Sequence, residues 1–368
     1  MAALNDPSAL FPSADNSTRD FLMETYILMQ EIASKIVDVD FYISFPGIIL
    51  TLFHLTVLTR KSMRTSSVMS IMTATAICDL ISMIVAIAIK DIVQNYHIQD
   101  CVPPNTLLQI QFYIVSQSIR DAVIRCSTLL SVSMALLRYV VLKRAATQPG
   151  VQGVSQFRFG FYVFGVLFVI SSFLSSIFLL KMDIVKIKDW RPAEYCSNAL
   201  TTDSVDNYGT VPSKLFNIYN GIILRVYMFL NGFLSKILPC IMFPVLTALL
   251  IVELGKAKKN RKTSSVQDSE KNKTDRTTGL VVFISTTFFI ALLPSGIVTS
   301  LQAAYTDIGF LYMAFEVNNS CSGLLTVNAT FHCFICFAMS SQYRKTVKCF
   351  LKISEKRTHR VVSLDQRS

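Results

Sequence analysis

The sequence predicts an all-α membrane protein: a seven-transmembrane helix bundle with its N-terminus outside and an amphipathic helix after the seventh span. Three observations support this fold class. First, seven apolar segments are each long enough to cross a bilayer, since about 20 mostly apolar residues cover a hydrocarbon core about 30 Å thick. Second, hydrophobic residues make up 52% of the chain and charged residues only 16%, with a mean hydropathy of +0.46. Third, basic residues cluster in alternate connecting segments.

The predicted spans divide the chain into an extracellular tail (1–40), the bundle (41–340), and an amphipathic helix with a cytoplasmic tail (341–368). The first, fourth and sixth spans contain no charged residue, and the second contains only Asp79. A soluble domain of this length would instead show short apolar runs interrupted by charges. The seven predicted spans are 41–59, 68–89, 107–142, 159–180, 221–252, 279–301 and 308–339.

The distribution of charge predicts the orientation of the bundle. Lysine and arginine cluster after the first, third, fifth and seventh spans, whereas the tail 1–40 holds two basic and seven acidic residues. Positively charged segments remain in the cytoplasm during insertion, so the N-terminus is expected outside and the C-terminus inside. The net charge of +11 therefore reflects membrane topology and does not indicate a nucleic-acid partner. The tail lacks the pattern of a cleavable signal peptide, so the first span is expected to act as the signal anchor.

Two features of the outer segments predict covalent modification. Asn16 begins an Asn-Ser-Thr glycosylation sequon in the tail, although such sequons also arise by chance. Cys101 and Cys196 lie in two loops that are both outside on this topology, where an oxidising environment favours a disulfide. The alternative is two unpaired surface thiols.

Ionisable residues inside spans are costly, so each is a candidate functional residue. In the third span, Asp121 and Arg125 are four residues apart and can pair on one helix face. Arg120 and Arg138 are 18 residues apart, which places them on one face about 27 Å from each other. This face can link an outer pocket to an inner partner surface. The alternative is that these charges pair structurally, which for Asp121 and Arg125 we favour. The candidate ligand contacts are Arg120, Asp121, Gln117 and Glu316.

Three segments resemble one receptor family. They are HLTVLTRKSMRTSSVMSIMTATAICDL (54–80), ILPCIMFPVLTALLIVELGKAKKNRK (237–262) and NATFHCFICFAMSSQYRKTV (328–347). Together with the seven spans and the Arg-Tyr that ends the third, they resemble the nematode serpentine chemoreceptor class W. This class belongs to the rhodopsin-like G-protein-coupled receptors and is similar to the FMRFamide-type peptide receptors. The resemblance covers residues 41–352.

The resemblance implies roles for residues along the bundle axis. Asp79 matches the buried sodium-site aspartate of the family, and Ser127 and Asn328 fall where other polar ligands of that site lie. No cofactor is expected apart from this sodium ion. Arg138, with Tyr139 beside it, matches the arginine that meets the G protein in the active state.

The chain also departs from the family pattern. Leu137 replaces the acid before Arg138, so a local ion pair is missing. The Asn-Pro-x-x-Tyr motif of the seventh helix is replaced by His-Cys-Phe-Ile-Cys at 332–336, and Leu292 occupies the usual tryptophan position. These changes concern the switching details more than the fold.

After the seventh span, a basic amphipathic helix is expected on the inner leaflet. Tyr343, Val347, Phe350 and Leu351 recur at helical spacing between basic residues. Cys349 beside them is a palmitoylation candidate, with an unmodified thiol as the alternative. No histidine has a partner at metal-ligand spacing, so no metal site is expected.

The sequence predicts a multi-pass plasma-membrane receptor that binds an extracellular ligand, favoured to be a neuropeptide, and activates a heterotrimeric G protein. A chemosensory receptor for small environmental molecules is the main alternative, and an oligomeric ligand-gated channel is a further one. A retinal protein requires a lysine in 308–339, and this span contains none. A membrane enzyme requires a nucleophile–base pair or a metal cluster, and neither pattern is evident. The expected partners are the ligand, the G protein and membrane lipid.

Overall fold

The structure is a computed structural model that describes residues 7–64, 66–96, 103–147, 156–186, 189–192, 204–214, 221–260, 286–305 and 307–351. Cys101 and Cys196, and therefore the expected disulfide, lie outside the described residues. We keep the names first to seventh span for the helices that contain the predicted spans. Following the predicted orientation, we call the end of the bundle near Asn16 the outer end.

Helices account for most of the described chain. Short helices precede and follow the bundle, at Pro7–Leu10 and 341–351. The spans lie in helices Asn16–Leu58, Ser67–Tyr96, Leu107–Thr147, Phe157–Lys181, Ile222–Gly232 continued by Leu238–Asn260, Thr286–Leu301 and Ile308–Met339.

The predicted membrane bundle is confirmed. Six of these helices are long and apolar enough to cross a bilayer, and the shorter apolar helix Thr286–Leu301 corresponds to the sixth span. The fourth span shows the inside-out pattern of a lipid-facing helix, since its buried residues include Ser171 and Ser175, whereas Val169 and Phe173 are exposed. In water this pattern would leave apolar surface unburied, whereas lipid solvates it.

The first helix is much longer than its predicted span. Its 43 residues extend about 64 Å at 1.5 Å per residue, about twice the thickness of a hydrocarbon core. The hydropathy pattern places the first span only from residue 41, because the preceding helical turns carry most of the acidic residues of the tail. The outer half of this helix therefore lies outside the predicted span, but it still packs against the seventh span, where the Tyr26 and Tyr312 ring centroids are 6.2 Å apart.

The residues before this helix fold back onto the outer end of the seventh span. Phe11 is fully buried and its ring meets that of Phe310 edge-on, with centroids 5.5 Å apart. Gly309 permits this approach, because a Cβ atom there would lie 2.3 Å from the Phe11 ring. Ser13 and Asp307 are also hydrogen-bonded. These contacts fasten the N-terminal segment to the start of the seventh span.

A β-hairpin follows the fourth span in a region that the sequence suggests only as a long loop. Strand β1 (Met182–Lys186) pairs antiparallel with β2 (Tyr208–Pro212). Lys186 forms exposed ion pairs with Asp189 at 3.1 Å and Asp206 at 2.7 Å. Hydrogen bonding to Lys186 lowers the pKa of the Asp206 carboxyl. The hairpin continues directly from the outer end of the bundle.

The helix at 341–351 is amphipathic, as the spacing predicts. Tyr343 is fully buried and Val347 nearly so, in a cluster with Val57 and Leu58 of the first span. Burial raises the pKa of the Tyr343 phenol. Lys345 and Lys348 are exposed on the opposite face. The apolar face of this helix therefore packs against the inner end of the bundle.

Candidate functional site

The outer half of the third span contains a buried ion pair with the first span. The Arg120 guanidinium lies 2.5 Å from the Asp40 carboxylate, with the two side chains 6% and 7% exposed. Arg120 also approaches the Thr326 hydroxyl of the seventh span at 3.5 Å. From the sequence alone Asp40 belongs to the tail, without a predicted role, because the apolar run begins one residue later. Arg120 is thus paired internally rather than presenting an uncompensated positive charge.

We expect Arg120→Ala to lower the thermal stability and the surface expression of the protein. The substitution leaves the Asp40 carboxylate buried without its cation, and breaking a buried pair in this way costs about 3–5 kcal/mol. Asp40→Ala/Arg120→Ala removes both charges and should recover much of the loss. The measurements are the melting temperature in detergent and cell-surface labelling. A normal melting temperature with a weakened ligand response would instead show that Arg120 is a ligand contact.

Arg125 is the centre of a second buried cluster, which joins the third, fourth and fifth spans. It forms an ion pair with Asp121, and its side chain is only 2% exposed. The other acceptors of the guanidinium N–H groups come from two other helices. They are the Ser171 carbonyl at 2.9 Å, the Ser175 hydroxyl at 3.0 Å, the Asn231 amide oxygen at 2.9 Å and the Ser235 hydroxyl at 3.0 Å. Arg125 therefore links three helices, and Asp121 compensates its charge.

Lys236 makes a third set of interhelical contacts, from the π-helical segment Phe233–Ile237 of the fifth span. Its ammonium donates to Ser295 at 2.7 Å, Thr299 at 3.1 Å and Asn318 at 2.8 Å. No local pattern in the sequence indicates these contacts, because the partners of Lys236 lie 59 to 82 residues away. The structure places it between the fifth, sixth and seventh spans.

The other two candidate ligand contacts lie on different helices of the outer half. Glu316 is buried in the seventh span, 1% exposed, and Gln117 is half-buried in the third span. Among the four candidates, the structure brings Asp121 into the Arg125 cluster and Arg120 into contact with Asp40. The ligand roles of all four remain predictions.

A polar cluster around Asp79 occupies the middle of the bundle. One Asp79 carboxylate oxygen accepts a hydrogen bond from Ser127 at 2.7 Å, and the other lies 2.9 Å from Nδ1 of His332. Asn328 lines the same cavity, but its side-chain oxygen accepts from Thr287 of the sixth span at 3.1 Å. The cavity measures about 20 Å³, which is room for about one water molecule. His332 is the member of this cluster that the sequence analysis did not identify.

A second histidine lies towards the inner end. His54 of the first span hydrogen-bonds through Nδ1 to the Tyr343 hydroxyl at 2.9 Å, and the Cys333 thiol is 3.5 Å from the same hydroxyl. His54 also interacts electrostatically with His332 and Asp79. Polar groups therefore extend from the middle of the bundle to the helix at 341–351.

Arg138 lies at the inner end of the third span, half-buried, with Tyr139 beside it. The guanidinium forms no hydrogen bond or ion pair with any residue that the structure describes, and the preceding Leu137 is buried. Arg138 is close enough to Cys336 of the seventh span for an electrostatic interaction. The role of Arg138 at a partner surface remains a prediction.

The predicted modification sites that fall on described residues are accessible. Asn16 is exposed at the first position of its helix, where its oxygen accepts a hydrogen bond from Arg19 at 3.2 Å. Cys349 is a free, exposed thiol. Glycosylation and palmitoylation of these residues remain predictions. In the described part of the chain, no group of three or more His, Cys, Asp or Glu side chains is arranged to hold a metal ion.

A bundle of seven apolar helices, with a buried aspartate at its centre and Arg-Tyr at the inner end of the third helix, has the architecture of a G-protein-coupled receptor. The chain belongs to the serpentine type 7TM GPCR chemoreceptor Srw family, whose model matches residues 38–354. It is 23% identical over 352 residues to the G-protein coupled receptor dmsr-1 of Caenorhabditis elegans. This alignment covers 81% of the chain, which thereby spans 64% of the length of that relative.

Membership of this family confirms that the chain is a multi-pass protein of the plasma membrane, as predicted. The family itself is one of receptors. The ligand and the intracellular partner of this chain are therefore matters for the proposed function.

Proposed function

We propose that this receptor binds a neuropeptide at its outer end and activates a heterotrimeric G protein at its inner end. The observation that carries the proposal is the seven-helix bundle of a G-protein-coupled receptor family. The proposal places the N-terminus outside, in agreement with the charge distribution of the sequence. Ligand binding would change the relative stability of two arrangements of the bundle, because it favours the one to which the ligand binds more tightly.

The contacts of Arg138 support G-protein coupling. A guanidinium at the inner end of the third span, without a hydrogen bond or ion pair to any described residue, is available to donate hydrogen bonds to a carbonyl or carboxylate of a partner. It is also close to the seventh span through Cys336, so movement of the inner helix ends would change its surroundings. Coupling through Arg138 therefore does not require breaking an ion pair between this arginine and a neighbouring acid.

The outer half of the first helix supports a basic peptide as the ligand. Asp20, Glu24 and Glu31 are exposed and fall on one face of this helix, since separations of 4 and 11 residues bring side chains to nearly the same angle. Glu31 pairs with the exposed Lys35 at 2.6 Å, so Asp20 and Glu24 carry most of the negative charge of this surface. The positive charge of Arg120 does not weaken this negative surface, because Asp40 neutralises that positive charge. Complementary charge raises the rate at which a ligand encounters its site. A positively charged peptide thus fits this surface better than an anionic one.

The proposal is tested by a G-protein dissociation assay in transfected cells. The cells are challenged with pooled amidated neuropeptides that include basic members, and in parallel with pooled small odorants. We expect a response to a basic peptide, with potency reduced in Asp20→Asn/Glu24→Gln/Glu31→Gln. A matched control, Asp183→Asn on the exposed strand β1, should leave potency unchanged.

Other outcomes would support the alternatives. The family description as a chemoreceptor favours a small environmental molecule as the second candidate ligand. A response to odorants alone would establish this function and contradict the peptide proposal. No response to either pool, despite surface expression and a response of a control receptor, would redirect the search to channel activity.

A further inference from the structure

We infer that the His332 imidazole occupies the cation position beside Asp79 and so excludes a sodium ion from the centre of this bundle. The inference does not depend on the identity of the ligand or of the G protein. It concerns a position where the family resemblance implies a sodium ion, and it follows from a poor match between that ion and the residues present.

The oxygens that the resemblance assigns to sodium have other partners. Both Asp79 carboxylate oxygens are engaged, one by the Ser127 hydroxyl at 2.7 Å and the other by the His332 imidazole at 2.9 Å. The Asn328 oxygen accepts from Thr287 at 3.1 Å. A hard cation prefers several oxygen ligands at once. In this cavity of about 20 Å³ it would have to displace an imidazole from the carboxylate.

The burial of the Asp79–His332 pair also opposes a metal ion. The two side chains are only 9% and 18% exposed. A positive charge in such a site is costly in a membrane protein unless the carboxylate is free to coordinate it. Sodium can therefore enter only when the imidazole leaves the carboxylate.

The neighbouring groups leave this contact in place. From the first span, His54 interacts electrostatically with His332 and Asp79, but its Nδ1 atom is bound to the Tyr343 hydroxyl. In the described ranges, Asp79 is the carboxylate that pairs with His332.

The test compares sodium with choline at equal ionic strength. The full-length receptor is reconstituted in lipid nanodiscs, and its melting temperature is measured in sodium chloride and in choline chloride at pH 6.5. We expect no difference between the salts, because the imidazole occupies the carboxylate oxygen that sodium would need. A sodium-specific rise at pH 6.5 in the wild-type receptor would overturn the inference.

Substitutions identify the responsible residue. His332→Asn removes the imidazole and should create a sodium-specific rise of at least about 2 °C at pH 6.5, since a ligand that binds only the folded state raises its melting temperature. Asp79→Asn/His332→Asn should abolish this rise, and His54→Gln should behave like the wild type. A folded His332→Asn receptor without a sodium response would contradict the inference, because the imidazole would then not be what excludes the ion. If His332→Asn does not fold, the wild-type comparison at pH 6.5 decides alone.

Discussion

Replacing Arg125 with alanine is expected to remove most of the folded receptor from the cell surface. The guanidinium has five acceptors on the third, fourth and fifth spans and a side-chain exposure of 2%. Without the guanidinium, the acceptors on three helices lose their hydrogen-bond donor, and Asp121 loses its cation. Removing one partner of a buried pair costs about 3–5 kcal/mol, and the whole stability of a domain is only about 5–15 kcal/mol.

Surface labelling and the melting temperature of the detergent-solubilised receptor measure this effect. Arg225→Ala is the matched control, because Arg225 is an arginine of the fifth span whose side chain is exposed. Arg125→Lys retains the charge but not the planar fork of donors, so we expect an intermediate loss. Normal surface labelling of Arg125→Ala, together with a wild-type melting temperature, would show that the cluster is not needed for folding.

The membrane bundle was predictable because hydropathy is a local property of the sequence. Segments such as 159–180 contain no charge, and a lipid environment requires such a segment to form a helix whatever the rest of the chain does. The contact between Asp121 and Arg125 was also predictable from the sequence, because residues four apart are neighbours on one face of a helix. The proximity of Ser127 to Asp79 followed from the family resemblance alone.

The remaining site contacts depend on how the helices pack, which no local pattern specifies. Asp40 and Arg120 are 80 residues apart, and Asp79 and His332 are 253 residues apart. The sequence analysis treated His332 as a histidine without a metal-ligating partner and Asp40 as part of the tail. Neither residue has a neighbour in sequence that indicates its partner. Their roles became evident only when the first and seventh spans were placed beside the second and third.

The acidic face of the first helix was missed for a different reason. Asp20, Glu24 and Glu31 lie at helical spacing, but the tail was interpreted by composition rather than by periodicity. This helix has 43 residues but is apolar only in its second half, so hydropathy detects only that half. The periodicity of the acidic residues was the available indication that the helix extends beyond the membrane.

Arg138→Ala is expected to suppress G-protein activation while leaving the receptor folded and able to bind ligand. Arg138 differs from Arg120 and Arg125 because it forms no hydrogen bond or ion pair with a described residue. Its removal therefore leaves no buried acid without a partner. On the proposed function, the stabilisation that Arg138 provides belongs to the complex with the partner rather than to the isolated bundle. Losing one hydrogen bond from a charged group costs about 1.5–3 kcal/mol, so we expect ligand-evoked nucleotide exchange to fall at least about tenfold.

The readouts are nucleotide exchange on the G protein, surface labelling and ligand binding in the same membranes, using the peptide identified by the dissociation assay. Arg138→Lys should retain part of the exchange activity, because a point charge can replace some of the donors of a guanidinium. The matched control is Arg60→Ala, which should couple normally. Arg60 also lies at the inner end, but its guanidinium carbon is 5.0 Å from the centroid of the Phe350 ring. Undiminished exchange in Arg138→Ala would assign coupling to another residue. A parallel loss of surface labelling would show that Arg138 acts in folding, as Arg125 does, and not at the partner surface.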